Sequence, residues 1–270
     1  MVLSYKKIEE IAIGVMKDFN TFFFGAAHET QAAMPSATPI DQFASHYLNL
    51  KVSFTRLSAD GTLCGLTAYE DTEYVCDIDG ITRTIPIKRN QILLDSSFIE
   101  PGQIRKLCGK RRFTLAHECA HQLLYQMESE EGKLACRRLY AERKCYSLRE
   151  LKTREDWNEW QANVLGAAIL MPCKEIELAV RRFHRGEGLI NYAGYMTCAD
   201  RFCLKMMCER FGVSRTAMMI RLRQLGFLED RPYTAYQDLL EVWSETPRTS
   251  QSCKDIDTDP QRQKKVYQRW

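Results

Sequence analysis

The 270-residue sequence contains no run of about 18 uninterrupted apolar residues, so no segment reads as a membrane-spanning helix. Its opening residues, Met1-Val2-Leu3-Ser4-Tyr5-Lys6-Lys7, lack the apolar stretch and small-residue cleavage site of a secretory signal, which makes the cytoplasm the expected location. An excess of one charge is also missing. Lys and Arg number 38 against 35 Asp and Glu, and the resulting +3 gives no global electrostatic argument for binding nucleic acid or an anionic membrane. The 11 cysteines include no Cys-x-x-Cys pair, their number is odd, and the chain is too long for a stapled mini-domain, so they are expected to be reduced and mostly buried. No internal repeat is visible. What the chain does hold is 45% hydrophobic residues, enough for one or two soluble domains and incompatible with disorder throughout.

The hydrophobic spacing changes along the chain. Ile8, Ile11, Ala12, Val15, Met16 and Phe19 follow the i, i+3, i+4, i+7 rhythm of an amphipathic helix. A loop rich in Ala, Ser, Thr and Pro follows from about Gly25, and Thr38-Pro39 has the form of an N-cap and first turn opening a second helix through Tyr47. Between Leu50 and Asp95, short β-prone runs separated by Asp60-Gly61 and Asp79-Gly80 predict a small, largely antiparallel sheet. Helical periodicity returns near Leu107, with interruptions at Met171-Pro172, His184 to Gly188 and Gly212. Helices, sheet, helices is an α+β order.

The most informative residues are His117-Glu118-Cys119-Ala120-His121, an H-E-x-x-H pentapeptide within an apolar helical stretch. At about 100° per residue, His117 and His121 lie roughly 40° apart on one helix face, so their rings converge on one ion with Glu118 beside them. A bound cation also removes the objection to placing two histidines and a carboxylate on a buried helix. The bland alternative is a core helix with two hydrogen-bonded histidines. A catalytic zinc site needs a third protein ligand and an open position for water. Glu159 is the candidate, one turn before Asn163 on a helix whose Ala162, Gly166 and Ala167 allow another helix to approach closely. Read alone, Glu159 is also what a surface carboxylate near a helix N-terminus looks like.

Two blocks resemble the ImmA/IrrE-type metallopeptidases, zinc-dependent endopeptidases of bacteria and their mobile elements. Arg112-Phe113-Thr114-Leu115-Ala116-His117-Glu118-Cys119-Ala120-His121 is similar to that family's R-F-T-L-A-H-E-x-x-H. Glu159-Trp160-Gln161-Ala162-Asn163 followed by Leu170-Met171-Pro172 is similar to its E-x-x-A-N and L-M-P. The likeness extends more loosely over residues 40 to 230. It implies Zn2+ held by His117, His121 and Glu159, Glu118 as catalytic base, and a helix-turn-helix transcriptional repressor as the protein substrate, whose cleavage relieves repression. The implied architecture is a small antiparallel sheet on a zincin-like helical core, with a helix-turn-helix-like C-terminal subdomain. The expected divisions are an N-terminal helix and loop at 1–38, a metallopeptidase core at 39–185, the helical subdomain at 186–245 and a polar, solvated tail at 246–270. The sequence departs from the family at Cys119-Ala120, at Leu165-Gly166 and in a basic insertion from Glu128 to Arg154. None of these removes a proposed ligand.

Other residues admit other readings. A second oxyanion donor is expected, with His184, Tyr192 and Tyr195 as unranked candidates. Ile92-Leu93-Leu94-Asp95 reads either as a core strand or as an edge strand that pairs with an extended substrate. Cys198 to Leu228 has helix-turn-helix form, and Arg215, Arg221 and Arg223 there would touch phosphates in a DNA-binding regulator. Met218, Met219, Ile220, Leu222 and Leu225 make that second helix mostly apolar, which favours packing or partner docking over groove reading. The competing functional class is therefore a DNA- or protein-binding regulator whose zinc is structural or sensory. Cys198, Cys203 and Cys208, five residues apart, fan around a helix instead of converging on a second metal. Trp157 and Trp160 are expected to pack, and the insertion's Arg137-Arg138, Arg143-Lys144 and Arg149 to be a solvated face.

Overall fold

The computed structural model describes residues 2–25, 34–131, 133 and 154–236, so the expectations for most of the insertion and for the 246–270 tail lie outside the described residues. The elements run α1 (Tyr5–Phe24), α2 (Ile40–Gln42) continuing as a π-helical turn (Phe43–Tyr47), β1 (Lys51–Thr55), β2 (Gly65–Thr67), β3 (Thr72–Ile78), β4 (Ile81–Ile87) and β5 (Gln91–Asp95). The long α3 (Ile104–Gln126), α4 (Arg154–Leu170), α5 (Cys173–His184), β6 (Leu189–Tyr192), α6 (Cys198–Phe211), α7 (Arg215–Gln224) and β7 (Leu228–Arg231) complete them. The α+β class is as the sequence indicates. No described helix is long and apolar enough to cross a membrane.

Ser4 starts α1, its hydroxyl accepting from the Lys7 amide, and the helix buries Ile8, Ala12, Met16 and Phe19, the stripe given by the spacing. Thr38 does not cap α2. Its hydroxyl donates instead to the Ile169 carbonyl at 2.6 Å, and Pro39 occupies the cap position without a side-chain hydrogen bond. Tertiary contact with the end of α4 wins over the local capping pattern.

The small, largely antiparallel sheet expected here divides into two units. A three-stranded sheet has the order β1-β5-β2, with β1 parallel and β2 antiparallel to β5. The β3–β4 hairpin forms a separate antiparallel pair, turned by Asp79 and Gly80 with both φ angles positive. The strand Ile92-Leu93-Leu94-Asp95 is therefore central, and its edge-strand reading is excluded because both sides are already paired. The edge on the side of α3 is β2. A parallel β6–β7 pair that the sequence reading omits closes the helical C-terminal region.

The helix-turn-helix form is present. Gly212 ends α6 with a left-handed φ of 61°, and Ser214 caps α7 by accepting from the Ala217 amide. Its arginines differ in how far packing claims them. Arg221 is fully buried, donating to Glu9, to the Tyr5 hydroxyl and to the Met171 carbonyl, while Arg223 pairs with Asp230 and Arg215 faces the Met196 sulfur. Packing removes Arg221 from any phosphate, whereas Arg223 sits in a partly exposed pair and Arg215 is exposed. One hydrophobic core runs from Leu3 through α3 and α4 to Leu228. Cys119 is buried in it, and burial pushes the Cys203 and Cys208 thiols up to about 12 and about 11, so they are protonated at neutral pH.

Candidate metal centre

Helix α3 is buried all round from Thr114 to Ala120, with Leu115, Ala116, Cys119 and Ala120 as the apolar surroundings of Thr114, His117 and Glu118. It packs on α4, whose small residues permit an approach that larger ones would block. A Cβ added at Gly166 would lie 3.1 Å from both the Cα and the backbone nitrogen of His117. The close crossing is what lets a glutamate side chain on α4 reach histidines on α3. Gly166→Val is accordingly expected to push the helices apart, lowering stability by about 1–3 kcal/mol and weakening metal retention. Thermal unfolding together with bound-metal content checks both effects.

His117, His121 and Glu159, the three residues selected from sequence, offer ligand atoms that all lie within 4.8 Å of one another. His117 Nε2 stands 2.9 Å from His121 Nε2, and Glu159 places Oε1 3.1 Å from His121 Nε2 and Oε2 3.3 Å from His117 Nε2. Ligands held by a tetrahedral ion at bond lengths of ~2.0–2.1 Å are separated by about 3.3 Å, so this triangle is close to what such an ion requires.

The protonation pattern agrees with that fit. Asn163 Oδ1 lies 2.9 Å from His117 Nδ1 and has only an acceptor to offer, so the ring's proton belongs on Nδ1. With a cation held there, Nε2 of the neutral ring would present its lone pair to it. Glu159 Oε2 is buried and accepts no hydrogen bond among the described residues. Burial alone would push the Glu159 carboxyl up, but the His121 and His117 rings beside it, when protonated, reverse that effect and hold it well below the usual carboxylate range. A carboxylate and two imidazole nitrogens pointed at one small volume form a donor set for a cation. With Glu159 only 6% exposed and His117 only 1%, a surface explanation for either is excluded.

Glu118 is buried next to this group, against β2. A Cβ at Gly65 would stand 2.7 Å from Thr114 Cγ2 and 3.1 Å from Glu118 Oε1, so only glycine lets the strand come this near. Gln122, one turn beyond Glu118 on α3, fixes the same strand by donating to Thr67 Oγ1 and to the Ala68 carbonyl. Two spaces open near these residues, one lined by His121 and the other by Asn163, the partner of His117. A small cavity of about 20 Å³ is lined by His121 and by Tyr69 and Tyr125, whose rings stack at 4.1 Å. A cleft of about 890 Å³ runs from Thr114 and Asn163 along the first half of α3 to the Gly212–Ser214 turn.

The oxyanion candidates do not line either space. His184 sits between Asp200, at 3.2 Å, and the Glu187 carbonyl. Tyr192 and Tyr195 join an aromatic cluster with Tyr236 and Tyr233. The tyrosines beside the metal group are Tyr69 and Tyr125, which sequence spacing alone did not single out. Gly65, Gln122 and the role of Asn163 were also missed, although Asn163 repeats at one turn from Glu159. Trp157 and Trp160 pack edge to face at 5.6 Å on α4, as expected of structural tryptophans. Comparison with family models and with curated proteins returns no match for this chain.

Proposed function

We propose that the protein is a zinc-dependent endopeptidase resembling the ImmA/IrrE type, acting on a helix-turn-helix repressor. The observation that carries the reading is the buried His117–His121–Glu159 triangle with a second carboxylate, Glu118, beside it and outside the ligand set. A merely structural site closes its coordination with protein ligands and has no use for an adjacent buried carboxylate, whereas three ligands and a base are the catalytic arrangement. When bound, zinc supplies Lewis acidity, lowering the pKa of water to about 7 and polarising a carbonyl oxygen.

The chain's own residues divide the remaining work. Asn163 keeps His117 in the tautomer that leaves Nε2 available. Glu118 takes the proton of the attacking water and delivers it to the leaving amine. Edge strand β2, held against α3 by Gln122, offers an extended polypeptide backbone a place to pair, with Gly65 bringing that backbone close to Glu118. Incubation of the zinc-loaded protein with a proteome-derived peptide library, read by mass spectrometry, tests the reading. New termini that vanish on chelation and return with zinc are expected; a folded, zinc-loaded protein that cuts nothing would contradict it and favour a structural or sensory metal.

A further inference from the structure

The first half of α3 carries five cations, Arg105, Lys106, Lys110, Arg111 and Arg112, and no acidic residue between Ile104 and Phe113. Two are used internally: Arg111 pairs with Asp41, and Arg112 donates to the Thr38 carbonyl. Arg105, Lys106 and Lys110 are exposed, line the 890 Å³ cleft, and have no carboxylate partner among the described residues. The cleft's one lining carboxylate, Glu209, faces Lys205 at 3.8 Å. Arg105 and Lys106 also lie in the first turn of a helix with no side-chain cap, where cations oppose the macrodipole and weaken the helix. Folding gains nothing from this arrangement, but a cleft lined by one sign of charge concentrates ligands of the other.

Position on the helix ties the charge to the metal group. At about 100° per residue, Lys106, Lys110, Thr114, His117 and His121 fall within about 80° of one another. At ~1.5 Å per residue, Lys110 is then ~10 Å and Lys106 ~16 Å along the axis from His117. An extended peptide covers those distances in about three and five residues. Resting on the endopeptidase reading, we propose that this cleft docks an acidic stretch of the substrate polypeptide, with Lys106 and Lys110 meeting Asp or Glu side chains about three to five residues from the bond that is cut and Arg105 adding positive charge on the cleft wall.

Binding and cutting are read separately. Fluorescein-labelled (Glu-Ala)3 and (Gln-Ala)3 are titrated by anisotropy against the zinc-loaded Glu118→Gln protein, alone and carrying Arg105→Gln, Lys106→Gln and Lys110→Gln. Exposed ion pairs are individually weak, so three of them predict about five- to tenfold tighter binding of the Glu peptide at low salt. The preference should fade near 1 M salt, where the screening length is about 3 Å, and drop below about twofold in the triple variant. Equal affinities in the parent, or an undiminished preference in the triple variant, would overturn the proposal whether or not the enzyme cuts. In the peptide library, cut sites of the protein with Glu118 intact should be enriched in Asp and Glu about three to five residues away, and the three substitutions placed on that same protein should leave cutting without that enrichment. Cutting with no acidic enrichment in the parent overturns the docking proposal and leaves the endopeptidase reading standing. Preference for the Glu peptide with no cutting supports a basic cleft that docks acidic peptide and removes the endopeptidase reading instead.

Discussion

Glu118→Gln is expected to lower peptide hydrolysis by about 10²- to 10⁴-fold, the range contributed by a positioned general acid–base group. The substitution keeps the side chain's shape in a place where shape is restricted: Glu118 is 3% exposed, and Oε1 lies 3.1 Å from where a Cβ at Gly65 would be. Neither metal content nor the unfolding temperature should change appreciably, because the ligand set is His117, His121 and Glu159. An amide cannot accept the water's proton, so the loss should fall on kcat with substrate affinity nearly preserved. A structural or sensory metal site predicts instead that this replacement leaves the protein's activity unaltered. Single-turnover cleavage beside metal analysis separates the two.

Arg221→Ala should be the most destabilising of the substitutions that touch no metal ligand, by about 3–5 kcal/mol, because it leaves a carboxylate without its buried partner. The guanidinium joins three parts of the chain. It pairs in two places with Glu9 on α1, at 2.7 and 2.8 Å, and reaches Tyr5 there and the carbonyl of Met171 at the end of α4. In a domain of this size the unfolding temperature should fall by roughly 10 °C. Arg223→Ala, which removes a half-exposed pair with Asp230, should cost about 1 kcal/mol or less. If both arginines proved silent in stability and instead controlled salt-dependent DNA affinity, the packing account of α7 would be wrong.

The legible parts of this fold are those where one residue pattern had one solution. α1 and the buried half of α3 follow directly from apolar spacing, and the metal group follows because H-E-x-x-H and Glu159 are chemically conspicuous. Strand order was not legible. β1, β2 and β5 are short runs whose neighbours are fixed by pairing across dozens of residues, so alternation alone could not say that β5 is central and β2 an edge. Arg221 looked like a phosphate ligand because one helix's sequence does not show that Glu9, far along the chain, waits opposite it. Thr38 misled for the same reason, its hydroxyl being claimed by Ile169. Asn163 and Gly65 carry no chemical signature of their own. Their roles come from what stands beside them, His117 Nδ1 in one case and Glu118 in the other.

Elemental analysis of the purified chain, beside Glu159→Ala after identical mild chelator washing, tests the central claim most directly. Two imidazoles and a carboxylate converging in a buried site predict about one zinc per chain in the parent and a clear loss in the variant. A folded parent that retains no zinc, or a variant that retains as much as the parent, would contradict the metal centre.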